Sequence, residues 1–107
     1  MSKFPLRKIT RAPSHPGELI REIIEEHAEL SVTEAARRMG ISRQALHSVL
    51  RGRTAVSAGV ALRFAQLTGG QPELFLHMQE ALDLWTARQR LGPRLARIAP
   101  VPTKRAA

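Results

Sequence analysis

Residues 30–53 read Leu30-Ser-Val-Thr-Glu-Ala-Ala-Arg-Arg-Met-Gly-Ile-Ser-Arg-Gln-Ala-Leu-His-Ser-Val-Leu-Arg-Gly-Arg53, and their spacing predicts two short helices joined by a tight turn. Ser31 is placed to cap the first helix. Glu34, three residues on, completes a capping box in which each side chain takes one free end-of-helix N–H. Ala35, Ala36 and Met39 form a small apolar face that a second helix can approach closely, and Gly40 supplies the left-handed residue that ends a helix at low cost. Ile41 plugs the core and Ser42 caps again. Beyond it, Leu46, Val49 and Leu50 fall at helical spacing, while Arg43, Gln44, His47, Ser48 and Arg51 share the opposite face.

That polar face carries the side chains that read base edges: Arg pairs in bidentate fashion with guanine, Gln with adenine, and Ser with several donors or acceptors. A helix-turn-helix puts the N-terminal end of its second helix in the major groove, here Arg43 and Gln44, then Ser48, with His47 at the edge. Ser31, Thr33 and Ser42 near the helix starts, and Arg51, Arg53 and Thr54 where the chain would leave the groove, are the candidate phosphate ligands. The competing reading is a plain helical hairpin with a solvated arginine face. Capping box, glycine turn, second cap and polar face together favour the DNA motif.

A chain of 107 residues bounds the molecule to one domain with tails, and 43% apolar residues suffice for a core. Aromatic residues are only 4%, so that core is expected to be mostly aliphatic. The absence of cysteine excludes disulfides and cysteine-based zinc sites. No apolar run is long enough for a membrane span or a signal-peptide core, which gives the expectation of a cytoplasmic protein without membrane association. The formal charge of +8 is unevenly placed. Lys3, Arg7, Lys8 and Arg11 at the start, and Arg90, Arg94, Arg97, Lys104 and Arg105 at the end, lie in segments without acids, so the interior is near neutral. Within it, Glu18, Glu22, Glu25, Glu26, Glu29 and Glu34 precede a stretch from Ala35 to Pro72 with six arginines and no acid. One end is acidic and the helix-turn-helix basic, a polarity suited to phosphate on one face and a cationic partner on another.

Residues 1–14 show no period and read as a loosely ordered basic arm; residues 15–90 form the domain; residues 91–107, with Pro100 and Pro102, read as a flexible basic tail able to add phosphate contacts. The first helix is expected from His15 to Leu30, with Pro16 in its first turn, and with Leu19, Ile20, Ile23, Ile24 and His27 on one stripe and glutamates on the other. Ser57 is a reasonable cap for a fourth helix bearing Val60, Ala61, Phe64 and Leu67 and ending at Gly69-Gly70. Phe64 should share a core with Ile20, Ile24, Leu46 and Leu50. A fifth helix from Pro72 to about Arg90, ended by Gly92-Pro93, has apolar residues on more than one face. Leu74, Phe75, Met78, Leu82 and Trp85 are therefore the candidate surface of a symmetric dimer, which would read two half-sites of an inverted repeat. The histidines, with no cysteine and no ligand spacing, are expected to be structural, and no metal or cofactor is called for.

Three segments together resemble the HigA-type antitoxin family, with its phage-repressor-like, VapI-like helix-turn-helix: residues 30–53, Pro13-Ser-His-Pro-Gly-Glu-Leu-Ile-Arg21, and Gln71-Pro-Glu-Leu-Phe-Leu-His-Met-Gln-Glu-Ala-Leu-Asp-Leu-Trp85. The resemblance covers about residues 12 to 88. It implies an all-α, five-helix domain that dimerises through its C-terminal helix and represses its own operon. It also implies neutralisation of a HigB-like ribonuclease toxin of the RelE class. Val32 replaces a frequent Gln, Gly59 a usual acid, and Gln71 a Ser or Thr cap, while Phe75 and Leu82 replace Trp and Tyr. For a basic toxin, Glu22, Glu25, Glu26 and Glu29 are the candidate contacts. The alternatives are a stand-alone repressor without a toxin and an interaction adaptor using the fifth helix. An enzyme is the least supported class, since no nucleophile with a partner, phosphate loop or metal cluster is present.

Overall fold

His15-Pro16-Gly17 opens the fold. The computed structural model describes residues 11–102, so most of the N-terminal arm and residues 103–107 of the tail lie outside it. Pro16 occupies the first position of α1 (Pro16–Glu22), where its missing N–H costs nothing, and the His15 ring caps the helix by accepting the Gly17 N–H at Nδ1, 2.8 Å away. The ring's other nitrogen lies 3.1 Å from the carbonyl oxygen of Thr54. Because Nδ1 accepts, Nε2 carries the proton and donates to that carbonyl. Gly17 is buried, and a Cβ there would stand 2.1 Å from the carbonyl oxygen of Val49. Only glycine allows α1 to approach the backbone of the third helix so closely.

The expected long first helix does not persist to Leu30. After Glu22 it widens into a π-helical turn (Ile23–His27), closed by Ala28 N–H to Ile23 O at 2.8 Å, and Leu30 N–H reaches Ile24 O at 3.0 Å. Glu29 takes a left-handed φ of 54° and reverses the chain. Ile24 is buried, and Ile23 and Leu30 pack against the core from its rim. The turn thus ends the helix one apolar stripe early and brings both flanks onto the same interior.

Four further helices complete the all-α fold: α2 (Val32–Met39), α3 (Arg43–Leu50), α4 (Ala58–Thr68) and α5 (Pro72–Leu91), followed by a 3₁₀ segment (Gly92–Arg97) at the start of the expected flexible tail. Ser31, Ser42 and Ser57 cap α2, α3 and α4 by accepting the N–H groups of Glu34, Ala45 and Val60. Gln71 gives α5 no side-chain cap. Gly40 (φ 75°) ends α2 as expected, with Ile41 N–H on Ala36 O. Arg63 on α4 adds an Nη1–H bond to the Met39 carbonyl at 2.6 Å, placing a cation at the C-terminal end of α2.

Only half of the expected capping box forms. Ser31 serves Glu34, but the Glu34 carboxylate turns to Arg37 (2.6 Å) and Arg38 (2.7 Å). Hydrogen bonds from these two guanidinium groups hold its carboxyl near 2 rather than 4.5.

The core gathers Ile20, Ile24, Ala35, Ala36, Met39, Leu46, Val49, Leu50, Val56, Ala61, Phe64 and Phe75. Phe64 meets Ile20, Ile24, Leu46 and Leu50 as expected. It also stacks edge-on against Phe75, with centroids 5.4 Å apart and rings at 79°, a pairing worth about 0.5–1.5 kcal/mol beyond burial. Gln79 is the buried polar side chain among the described residues. Its Oε1 accepts the Val56 N–H and its Nε2–H donates to Asp83, both at 2.9 Å. This ties α5 to the loop after α3.

Two glycines give opposite expectations. Gly17→Ala drives a methyl into the Val49 carbonyl and should destabilise by at least about 1–3 kcal/mol; Gly59→Ala, with only Ser57 Oγ at 3.8 Å from the new Cβ, should stabilise by about 0.5–1 kcal/mol. Chemical denaturation of both variants reads the signs. For Glu34, whose folded carboxyl titrates below its ordinary value, the stability it adds is complete well above pH 4.5 and fades as pH falls toward about 2. Glu34→Gln should accordingly flatten that part of the acid limb.

Candidate nucleic-acid interface

The close contact at Gly17 fixes α3 from behind, so its buried stripe of Leu46, Val49 and Leu50 faces inward and its other side is presented outward. Arg43 and Gln44 stand exposed in the first turn of α3, immediately after the Ser42 cap. One turn further on, His47 and Ser48 are half-buried, and His47 Nδ1 is shielded from solvent without a hydrogen-bond partner. The four residues expected to read bases therefore lie on one helical face, the first two fully presented and the last two set back.

The end of α3 is built as carefully as its start. Gly52 adopts φ 75°, Gly52 N–H bonds Val49 O at 3.0 Å and Arg53 N–H bonds Ser48 O at 2.9 Å, the two bonds of a Schellman closure. Thr54 N–H also reaches Ser48 O, while His15 holds the Thr54 carbonyl and Gln79 the Val56 N–H. Exposed Arg51, Arg53 and Thr54 thus sit on a loop anchored to α1, α3 and α5. Exposed Ser31, Thr33 and Ser42 lie at the starts of α2 and α3, where backbone N–H groups favour anions.

Electrostatics separates the arginines into two sets. Glu34 engages Arg37 and Arg38, Glu25 lies 4.0 Å from Arg21, and Arg63 is spent on the Met39 carbonyl. Among the described residues no such ion pair involves Arg43, Arg51 or Arg53. Their charge remains available beside the outward face of α3. Glu22, Glu25, Glu26 and Glu29 are exposed along α1 and the turn after it. The described residues hold no cluster of three metal-ligating side chains, and no helix among them is long and apolar enough to cross a membrane.

The proposed dimer surface on α5 needs one correction. Phe75 is 3% exposed and packed on Phe64, so its ring belongs to the core and is not available to a partner. Leu82 is half-buried in the cleft where α5 passes His15 and Gly52. Leu74 is 50% exposed, and Met78 and Trp85 are half-buried. Leu84, one of the helix's apolar residues but not among the expected dimer contacts, and Leu91, not singled out from the sequence, are 48% and 37% exposed. Their seven-residue spacing is the signal that could have found them. Gln79 and His15 were likewise missed as anchors of the loop after α3, because their bonds join positions far apart in sequence.

Comparison with known proteins agrees with this geometry. A helix-turn-helix domain family matches residues 17–78. Antitoxin HigA-1 of Vibrio cholerae serotype O1 is 29% identical over 96 residues, 90% of each chain, and virulence-associated protein I of Dichelobacter nodosus is 33% identical over 86 residues, 80% of each. The structure of antitoxin GraA in complex with its operator superposes with a TM-score of 0.76 at 33% identity, covering 91% of this chain and 98% of that one. The helix-turn-helix built by α2 and α3, the HigA-like length match and the shared fold place this chain in the HigA-type antitoxin family, whose members are helix-turn-helix regulators and not enzymes.

Proposed function

We propose that the protein is a dimeric, sequence-specific repressor of HigA-antitoxin type that binds an inverted-repeat operator in its own promoter. The observation that carries this reading is the presentation of Arg43 and Gln44 in the first turn of α3, backed by a core helix face and flanked by exposed Arg51 and Arg53. Arg43, Gln44 and Ser48 read base edges in the major groove, with His47 at the rim. Ser31, Thr33, Ser42, Arg51, Arg53 and Thr54 hold backbone phosphates on either side. Two copies place two α3 helices about one helical turn of DNA apart.

In the same reading the protein is the antitoxin of a HigBA-type module in the cytoplasm. It neutralises a basic, RelE-like ribonuclease toxin through the acidic face of Glu22, Glu25, Glu26 and Glu29. Support for this comes from the antitoxin relatives and from the exposure of those four glutamates.

Binding to a promoter fragment against random DNA at one fixed salt concentration tests the central reading: promoter preference should reach about 10³-fold or more, with two chains per site. Equal affinity for both would refute it. Arg43→Ala should cost about 1–3 kcal/mol of discrimination at one base pair per half-site, whereas Arg51→Ala should weaken all sequences alike and reduce the salt slope by about one. Reversing the charge of the four glutamates should weaken capture of the toxin encoded beside the gene; unchanged toxin affinity would remove that face from the interface.

A further inference from the structure

The C-terminal segment is unusual for a phosphate-binding tail. Its arginines 94 and 97 alternate with exposed Leu95 (43%), Ile98 (69%) and Val101 (80%), side chains with nothing to gain from a phosphate backbone. Nor is the segment loose at its root. Arg94 Nη2–H bonds the Arg90 carbonyl at 2.9 Å, and among the described elements the 3₁₀ segment packs on α5 alone. It therefore extends α5 away from the domain as a basic, apolar strap.

The complementary surface lies on the earlier half of the same helix. An open groove of about 450 Å³ runs along α5 and is lined by Val56, Leu76, Glu80, Asp83, Leu84 and Ala87. It combines apolar walls with two carboxylates. Along α5 and the strap, Glu73, Glu80 and Asp83 come first, and Arg88, Arg90, Arg94 and Arg97 follow. A helix that is acidic early and basic late is self-complementary when two copies run antiparallel. A two-fold interface demands this, because a contact from i to j must recur from j to i.

We infer that residues 92–102 of one copy dock in the acidic, apolar groove along α5 of the second copy, with Leu84 of each chain against Leu91 of the other. Leu84 and Leu91 are two helical turns apart on one flank, so the pairing places the two-fold axis beside Ala87 and Arg88. The strap then lies over Leu76, Glu80 and Asp83 of the second copy, burying Leu95 and Ile98 and bringing Arg97 to the carboxylates. This rests on the dimer proposed above and gives it a register and a locking element. It assigns the strap to protein contact and not to DNA.

The chain has no cysteine, so crosslinking is clean. Sedimentation of the unaltered chain comes first: a monomer would refute the dimer itself. Given a dimer, mixed Leu84→Cys and Leu91→Cys chains, oxidised with copper phenanthroline, should form a covalent heterodimer, and neither variant alone should. Both sites are exposed, so the fold should tolerate them. A chain ending at Leu91 should dimerise at least about tenfold more weakly. A dimer that yields no 84–91 crosslink, or crosslinks equally in the single variants, overturns the register. A truncation that spares the dimerisation constant but lowers DNA affinity and its salt slope overturns the docking and returns the strap to the phosphates.

Discussion

The contact between Gly17 and the carbonyl of Val49 is the constraint on which the rest of the molecule depends. A side chain at residue 17 would hold α1 away from α3, and α3 would lose the backing that turns its polar face outward. His15 extends the same contact. With one ring nitrogen it closes the start of α1, and with the other it grips the loop that leaves α3, so a single neutral tautomer serves both ends. The His-Pro-Gly sequence is therefore a clamp on α3. Gln79 closes that loop from the other side and links it to α5, the helix on which association is proposed.

Charge is distributed with comparable economy. Glu34 pairs with Arg37 and Arg38 on α2 and offsets one of their two charges, while Arg43 in the first turn of α3 and Arg51 and Arg53 after it are in no such pair among the described residues. Glu22, Glu25, Glu26 and Glu29, at the end of α1 and through the turn after it, are exposed. On α5 the acids and bases are segregated along the helix and not around it.

Local signals were legible in the sequence and long-range ones were not. Ser31, Ser42, Ser57 and Gly40 act within three or four residues, and each does in the structure what its type and spacing imply. The five-helix architecture and the core around Phe64 followed from the same periodicity. The π turn escaped because its apolar spacing suits a longer helix equally well. Phe75 was misassigned to a surface because a helix apolar on several sides does not say which side meets the core; its ring partner, Phe64, lies eleven residues away on another helix. His15 and Gln79 were invisible as anchors because their partners, Thr54 and Val56, are backbone groups distant in sequence.

Base reading by the first turn of α3 is the central claim, and dimethyl sulfate footprinting of the promoter fragment addresses it directly, because the reagent attacks guanine N7 in the major groove, where an arginine would dock. The expected pattern is two clusters of protected guanines about one helical turn apart on one face of the duplex. Protection at one guanine per cluster should disappear in Arg43→Ala while the rest of the footprint remains. A bound complex with every guanine N7 still reactive, or a footprint unaltered by that substitution, would contradict it.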